Sequence, residues 1–288
     1  MKFVLLMLTL VLGAGAQAGQ TDSPRPTLNP ADIMVIAHRG AAGNAPENTL
    51  AAIEEALRQG AVAIEVDLHQ SADGVVVAIH DDTVDRTTNG EGKVGDLTIA
   101  QLKALDAGGW FDSKFAGERI PTLEEVLRAV PEETALILEV KGGNGTYPGI
   151  ESRIIGALRQ AGRLNVILKS FSIEVLAAFE RLDPDYGRLY VFSAHIPFLN
   201  LIVDDWLRIG NAFDQNVSWL QKHSSFITEG FVRRAQGRGI QVVAWNVHDP
   251  AKMREMIDLR VDAIETDYPG LLKSLLADTA KPPAHAAR

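Results

Sequence analysis

The chain has 288 residues, 46% of them hydrophobic, a formal net charge of −9 and no cysteine. Without thiols there can be no disulfide, thiolate nucleophile, zinc-thiolate centre or cysteine-linked lipid anchor. The acidic balance disfavours nucleic acid and anionic lipid surfaces as general partners, and the length admits one large barrel or two small domains.

The first segment pairs a basic start, Met1-Lys2, with an apolar run over residues 3–12 and an Ala16-Gln17-Ala18 site. That pattern predicts a signal peptide over 1–18, because the apolar core falls well short of the roughly 20 residues a membrane span needs. No later stretch is apolar enough to cross a membrane, so the expectation is a periplasmic or secreted protein without stable membrane insertion. Residues 19–31, with Pro24, Pro26 and Pro30, read as a flexible leader. A single catalytic domain is expected over 32–275 and a flexible tail over 276–288.

Within the domain, strand patterns fall at 33–37, 62–68, 135–140, 165–169, 188–192, 211–215, 240–245 and 263–265. Helical patterns lie between them. One opens at Asn48-Thr49, one follows the capping box Thr122-x-x-Glu125, and others cover 150–160, 173–181, 228–237 and 250–258. Eight strands alternating with helices predict a parallel sheet closed into a TIM (β/α)8 barrel, with a doubly wound sheet as the alternative. Residues 81–118 break the alternation and read as a small insertion after the second strand, with a short helix capped by Thr98-x-x-Gln101.

The second strand carries the chemistry. Glu65 and Asp67 lie two apart, so both project from one face of an apolar strand, where two carboxylates demand a neutralising cation. Asp73-Gly74 signals a hairpin returning along 75–79. A two-residue loop there pairs Ala72 with Val75 and sets His80 directly across from Asp67.

Other strand ends add His38-Arg39-Gly40, Glu139 with Lys141, Lys169-Ser170-Phe171 and Trp245-Asn246. Reacting groups of barrel enzymes sit at strand ends on the C-terminal face, so three carboxylates, two histidines, an arginine and a lysine are expected on one rim. Singly, each has a plainer explanation in an ion pair or a core position. Glu65, Asp67 and Glu139 offer hard oxygen ligands suited to one divalent cation, Mg²⁺ or Ca²⁺. Arg39 and Lys141 suit an anion, phosphate above all, and His38 with His80 suit general acid and base roles. Metal-assisted phosphoester cleavage follows as the reaction class. No Gly-x-Ser-x-Gly or His-Glu-x-x-His motif competes, and Gly90-Glu91-Gly92-Lys93 lacks the spacing of a phosphate-binding loop. His195, His248 and Asp267 also fall near strand ends, without an assignable partner.

The ordered set His38-Arg39-Gly40, Pro46-Glu47-Asn48-Thr49, Glu65-x-Asp67, His80-Asp81, Arg86-Thr87-Thr88-x-Gly90-x-Gly92, Glu139-x-Lys141, Ser170-Phe171 and Trp245 resembles the glycerophosphodiester phosphodiesterases, in their exported bacterial type, over about 33–272. The resemblance implies a TIM barrel that hydrolyses glycerophosphodiesters, small molecules such as glycerophosphocholine, to sn-glycerol 3-phosphate and an alcohol. By position it implies His38 and His80 as the acid/base pair, Glu65, Asp67 and Glu139 as metal ligands, and Arg39, Lys141 and Trp245 as substrate-binding. It also implies attack by the glycerol 2-hydroxyl and a cyclic intermediate opened by water. Asn246 departs from the family's usual threonine, which bears on substrate preference. Glu47 reads as no more than a helix N-terminal acid. Two other functions remain open: a lysophospholipase D-like activity with an apolar groove at 198–203, and an exported phospho-solute binding protein that leaves both histidines without a role.

Overall fold

The computed structural model describes residues 32–192, 194–196, 201–203, 207–209 and 212–279, with backbone alone between 193 and 211. The expected signal peptide and leader lie outside the described residues.

The first half runs β1 (Met34–Ala37), α1 (Leu50–Arg58), β2 (Ala63–Gln70), β3 (Val76–Ala78), α2 (Ile99–Ala104), α3 (Leu123–Ala129), β4 (Ala135–Val140), α4 (Gly143–Thr146) and α5 (Ile150–Ala161). The second runs β5 (Val166–Ser170), α6 (Ile173–Leu182), β6 (Gly187–Phe192), β7 (Ala194–Ile196), β8 (Leu201–Val203), β9 (Leu207–Ile209), β10 (Trp219–His223), α7 (Glu229–Gln236), β11 (Gln241–Trp245), α8 (Pro250–Asp258), β12 (Ala263–Thr266) and α9 (Pro269–Thr279). Strands β1, β2, β4, β5, β6, β10, β11 and β12 form a parallel sheet that closes because β1 pairs with both β12 and β2. This is the expected TIM barrel. β3 lies outside it, antiparallel to the last residues of β2.

Two-residue periodicity sorts each strand into two layers. Ile64, Val66 and Leu68 of β2 pack with Ile53 of α1 and Leu123 of α3, in the layer between barrel and helices. Ala63, Ile137, Ile167, Leu189, Val191, Val243 and Ala263 pack together on the barrel axis. Continuing with the same parity toward the strand ends, the axial positions turn polar: Glu65, Asp67, Glu139, Lys169, Gln221 and Glu265, all buried. The axis is thus apolar at its base and charged at its top.

Three expectations need correction. The sixth barrel strand is β10, Trp219–His223, and not 211–215, where Ala212–Asp214 form one turn of 3-10 helix that buries Phe213. The connection from β6 to β10 carries a three-stranded antiparallel sheet, β7 to β9, in the place of a helix. Helix α9 runs to Thr279 and buries Leu276, four residues into the expected tail; residues 280–288 lie outside the described residues. The insertion after β2 has its own small core of Val84, Val94, Leu102, Ala107 and Ile120, shared with Val77 of β3. Both anticipated capping boxes, at Thr98 and Thr122, are formed.

The turn after β1 presents the first site residues. Arg39 and Gly40 both adopt the left-handed region, φ +51° and +81°, and Gly40 N donates to Glu65 O at 3.1 Å. A Cβ on Gly40 would stand 2.6 Å from the Ala52 backbone carbon of α1, whereas Gly162, also left-handed, has open space around that position. Gly40→Ala should therefore combine backbone strain of about 1–3 kcal/mol with a backbone clash, and Gly162→Ala should show the strain alone. Urea denaturation of the two variants checks this, and equal losses would show that the close approach to α1 carries no cost.

Candidate active site

Glu65 and Asp67 project from β2 into the charged end of the barrel, joined by Glu139 from β4. One carboxylate oxygen of each lies within 4.8 Å of the others, the spacing of a single cation site. All three oxygens are hard donors, so the residues present fit Mg²⁺ or Ca²⁺ and offer nothing to a softer metal. Lys141 pairs with Glu139 and, at 3.0 Å, with Asp67 Oδ1. Arg39 Nε lies 3.3 Å from Asp67 Oδ2. The plainer reading of these charges as ion pairs is therefore present in the geometry, and it coexists with the ligand-like cluster.

Several groups that hold the cluster were not assigned from sequence. Asn48 fixes Asp67 twice: its Nδ2 donates to Oδ2 at 2.9 Å, and its Oδ1 accepts from the Asp67 backbone N–H at 3.0 Å. Its φ of +57° is tolerated by asparagine and lets the amide turn inward. Lys169 Nζ reaches Glu65 Oε1 and Glu139 Oε2 at 3.0 Å each, and both Glu265 oxygens at 3.1 Å. Gln221 Nε2 donates to Glu265 Oε1 at 2.8 Å. Glu47 is more than a helix N-terminal acid, since it accepts from Arg39 Nη1 at 2.8 Å and from both terminal nitrogens of Arg86 at 2.8–2.9 Å.

The hairpin register also differs from expectation. Leu68 pairs with Ala78, and Ile79 N donates to Asp67 O at 3.0 Å, so Ile79 and not His80 stands opposite Asp67. The loop has three residues, Ala72-Asp73-Gly74, because Gly74 takes φ +85° and closes a bulged turn, while Ser71 Oγ accepts from Val75 N. His80 nonetheless faces the cluster, with Asp67, Lys141 and Arg39 among the charges that set its titration. His69, on the same face of β2 as Asp67, helps hold it there. Its Nε2 donates to the His80 carbonyl at 3.0 Å, and its Nδ1 lies 2.6 Å from the Tyr147 hydroxyl.

Both candidate catalytic histidines are tied through Nδ1 to a carboxylate that can only accept, His38 to Asp267 and His80 to Asp81, each at 2.7 Å. The proton is thereby fixed on Nδ1 and each Nε2 is left for chemistry. Asp267, without a partner in the sequence, is thus the orienting group of His38. His248 is close by, its Nε2 at 3.5 Å from Asp267 Oδ2, and His195 lies among residues described by backbone alone.

Burial works against protonation at both rings. At His38 the carboxylates of Asp267, Glu265 and Glu65 outweigh it and hold the pKa above the ordinary histidine value. At His80 burial, with Lys141 and Arg39, prevails over Asp67 and Asp81 and depresses it. Burial, helped by Asp67 and Glu265 and opposed by Lys169, pushes Glu65 up to about 7.

Trp245 ends β11 with its ring edge-on to Phe171 at 6.0 Å and to His223 at 5.5 Å, and its Nε1 has no hydrogen-bond partner among the described residues. Phe198 to Asn200 of the expected apolar groove lie outside the described residues, and Leu201–Val203 are described by backbone alone. A separate groove of about 840 Å³ runs between α7 and α8 on the outside of the barrel, lined by Glu229, Arg233, Arg254 and Leu259 among others.

The glycerophosphoryl diester phosphodiesterase family matches residues 38–271. A glycerophosphodiester phosphodiesterase of Caldanaerobacter subterraneus subsp. tengcongensis is 39% identical over 247 residues, covering 84% of this chain and 97% of the relative. One from Bacillus subtilis is 31% identical, covering 85% and 86%. Among solved structures, a phosphodiesterase of Oleispira antarctica in complex with the product sn-glycerol-3-phosphate superposes with a TM-score of 0.73 at 31% identity, covering 85% of this chain and 96% of that one.

The pKa of Glu65 gives a test in metal-free protein. A carboxyl titrating near 4.5 when unfolded and near 7 when folded binds its proton more tightly in the fold, so its contribution to stability is lost as pH rises through that window. Relative to wild type, Glu65→Gln should gain stability as pH goes from 4.5 to 7, by about 1.4 kcal/mol for each unit separating the two pKa values. Paired chemical denaturation curves across that range check it, and a gap independent of pH would refute the shift.

Proposed function

The chain belongs to the glycerophosphoryl diester phosphodiesterase family and is a phosphoric diester hydrolase; on that premise we propose that it cleaves glycerophosphodiesters to sn-glycerol 3-phosphate and an alcohol, with one divalent cation and with His38 and His80 as acid and base. The observation that carries this reading is the pair of imidazoles, each oriented through Nδ1 by a carboxylate, beside three carboxylates spaced for one cation.

Glu65, Asp67 and Glu139 would hold the cation, Mg²⁺ or Ca²⁺, which supplies Lewis-acid neutralisation of a non-bridging phosphate oxygen when bound. Arg39 and Lys141 border the same carboxylates and supply positive charge to the phosphate's other oxygens. His80, kept neutral by burial and neighbouring cations, takes the proton of the attacking hydroxyl at Nε2. His38, whose carboxylate neighbours favour its protonated form, gives a proton from Nε2 to the departing alkoxide. Where the attacking hydroxyl is the glycerol 2-hydroxyl, water then opens the cyclic phosphate: His38, now neutral, takes the water's proton and His80 returns its proton to the 2-oxygen, while Asp267 and Asp81 hold the rings throughout. Trp245 and Phe171 offer an aromatic wall to the substrate's carbon skeleton.

The N-terminal pattern supports export: protein recovered from the periplasmic or medium fraction should begin at Gly19, and a retained Met1 would overturn that part of the proposal.

Glycerophosphocholine cleavage should cease on chelation and return with Mg²⁺ or Ca²⁺, and Glu65→Ala should lack activity. Turnover indifferent to chelation would remove the metal from the reaction. His38→Ala and His80→Ala should each lower kcat by about 10²- to 10⁴-fold. With a p-nitrophenyl ester, whose leaving group needs no proton, His38→Ala should recover most of its rate and His80→Ala should not; the reverse pattern would exchange the two roles. Faster turnover of lysophospholipid than of its deacylated form on the same assay would favour the lysophospholipase D-like alternative.

A further inference from the structure

Lys169 is the most buried cation of the site, and proton transfer and phosphate binding leave it without a role. Its ammonium stands against Glu65, Glu139 and Glu265 at 3.0–3.1 Å, and its side chain is 3% exposed. Around it, two groups of three residues have the spacing of a metal site and share Glu65. One is Glu65, Asp67 and Glu139; the other is His38, Glu65 and Glu265, again with one ligand atom from each within 4.8 Å. In the second group the carboxylate side is already taken by Lys169 Nζ, while His38 Nε2 lies 3.9 Å from Glu265 Oε1.

We propose that Lys169 is a built-in cation filling this second position, so that the site takes a single divalent ion and His38 keeps its Nε2 for proton transfer. The inference rests on the metal-dependent reading above. The chemistry of the second group explains why filling it matters. An imidazole and two carboxylates suit a divalent transition metal, and His38 would be the imidazole. A coordinated Nε2 has its lone pair committed and cannot carry a proton. An ammonium neutralises the same carboxylates but, being a donor only, makes no bond to a protonated imidazole. It also repels a divalent ion approaching Glu65 from the His38 side. Gln221 completes the arrangement by donating to Glu265, which leaves that carboxylate engaged on two sides. Lys169 is accordingly a positioning residue: it acts by deciding how many metal ions bind and which residues they use.

The experiment counts ions. Full-length wild type and Lys169→Met are each equilibrated with Mn²⁺, separated from free ion, and analysed for bound metal and for the spin-coupled EPR signal of two adjacent Mn²⁺ ions. Wild type should hold one ion per chain with no coupled signal. Lys169→Met should hold two with the coupled signal, and its turnover should fall as Mn²⁺ rises beyond the first equivalent. The double variant Lys169→Met/Glu265→Gln loses a ligand together with the ammonium, and should return to one ion. Two ions in wild type, one in Lys169→Met, or two in the double variant would each overturn the proposal. So would a Lys169→Met protein that stays unfolded in saturating Mn²⁺, since an ion in the second position would replace the missing charge. No bound ion in wild type would refute the metal-dependent reading itself, a result distinguishable from all of these.

Discussion

Burying four carboxylates at one end of a barrel is feasible here because cations are buried with them. Glu65, Asp67, Glu139 and Glu265 are each at most 3% exposed, and an isolated ionised carboxylate in such a place would shed its charge by taking up a proton. Lys169 lies among three of them, Lys141 joins two, and Arg39 closes on Asp67. Asn48 and Gln221 add neutral donors to Asp67 Oδ2 and Glu265 Oε1, oxygens that Arg39 and Lys169 also approach. Every later step depends on this balance. It holds carboxylates at cation-binding distance, and it keeps Arg39 and Lys141 beside the place where an anion would bind.

The fold delivers that balance through simple parity. Alternate residues of the barrel strands face the axis, so one strand supplies an apolar filler near its start and a charge near its end, as Ala63, Glu65 and Asp67 do on β2. The histidines arrive by another route. His38 leaves β1 through a turn that only a glycine fits at Gly40, and His80 arrives from the hairpin outside the barrel. Each then meets a carboxylate from a different kind of partner. Asp267 comes from the last strand end, 229 residues away, and Asp81 is the adjacent residue. Two rings with the same tautomer are thereby set in unlike electrostatic surroundings, which is what opposite proton-transfer roles require.

Sequence made the barrel and the insertion legible, for local reasons: period-two strands, capping boxes and glycine turns act within a few residues. It misled where a local signal had a tertiary cause. Ala212 and Phe213 look like a strand because they are apolar, yet they are apolar because a 3-10 turn packs Phe213 against Phe231. The true sixth strand carries Gln221, Lys222 and His223, and its inward glutamine breaks the expected alternation. The hairpin slipped by one residue because Asp-Gly serves a three-residue bulged turn as readily as a two-residue one. Lys169, Glu265 and Asp267 stand at strand ends, but the contacts that define their roles, Lys169 with Glu65 and Glu265 and Asp267 with His38, join residues 96 to 229 apart, at spacings that only the closed barrel defines.

Arg86 has one further consequence. It sits in the inserted lobe, grips Asp81 through its Nε and one terminal nitrogen, and holds Glu47 on the barrel side, where Glu47 also holds Arg39. The lobe and the rim therefore share an unbroken chain of ionic contacts from His80 through Asp81, Arg86 and Glu47 to Arg39. An insertion fastened in this way cannot be exchanged as an independent cassette. Change to the lobe must be matched at Glu47 and Arg39, so over evolutionary time the lobe and the barrel rim would be expected to vary as one unit.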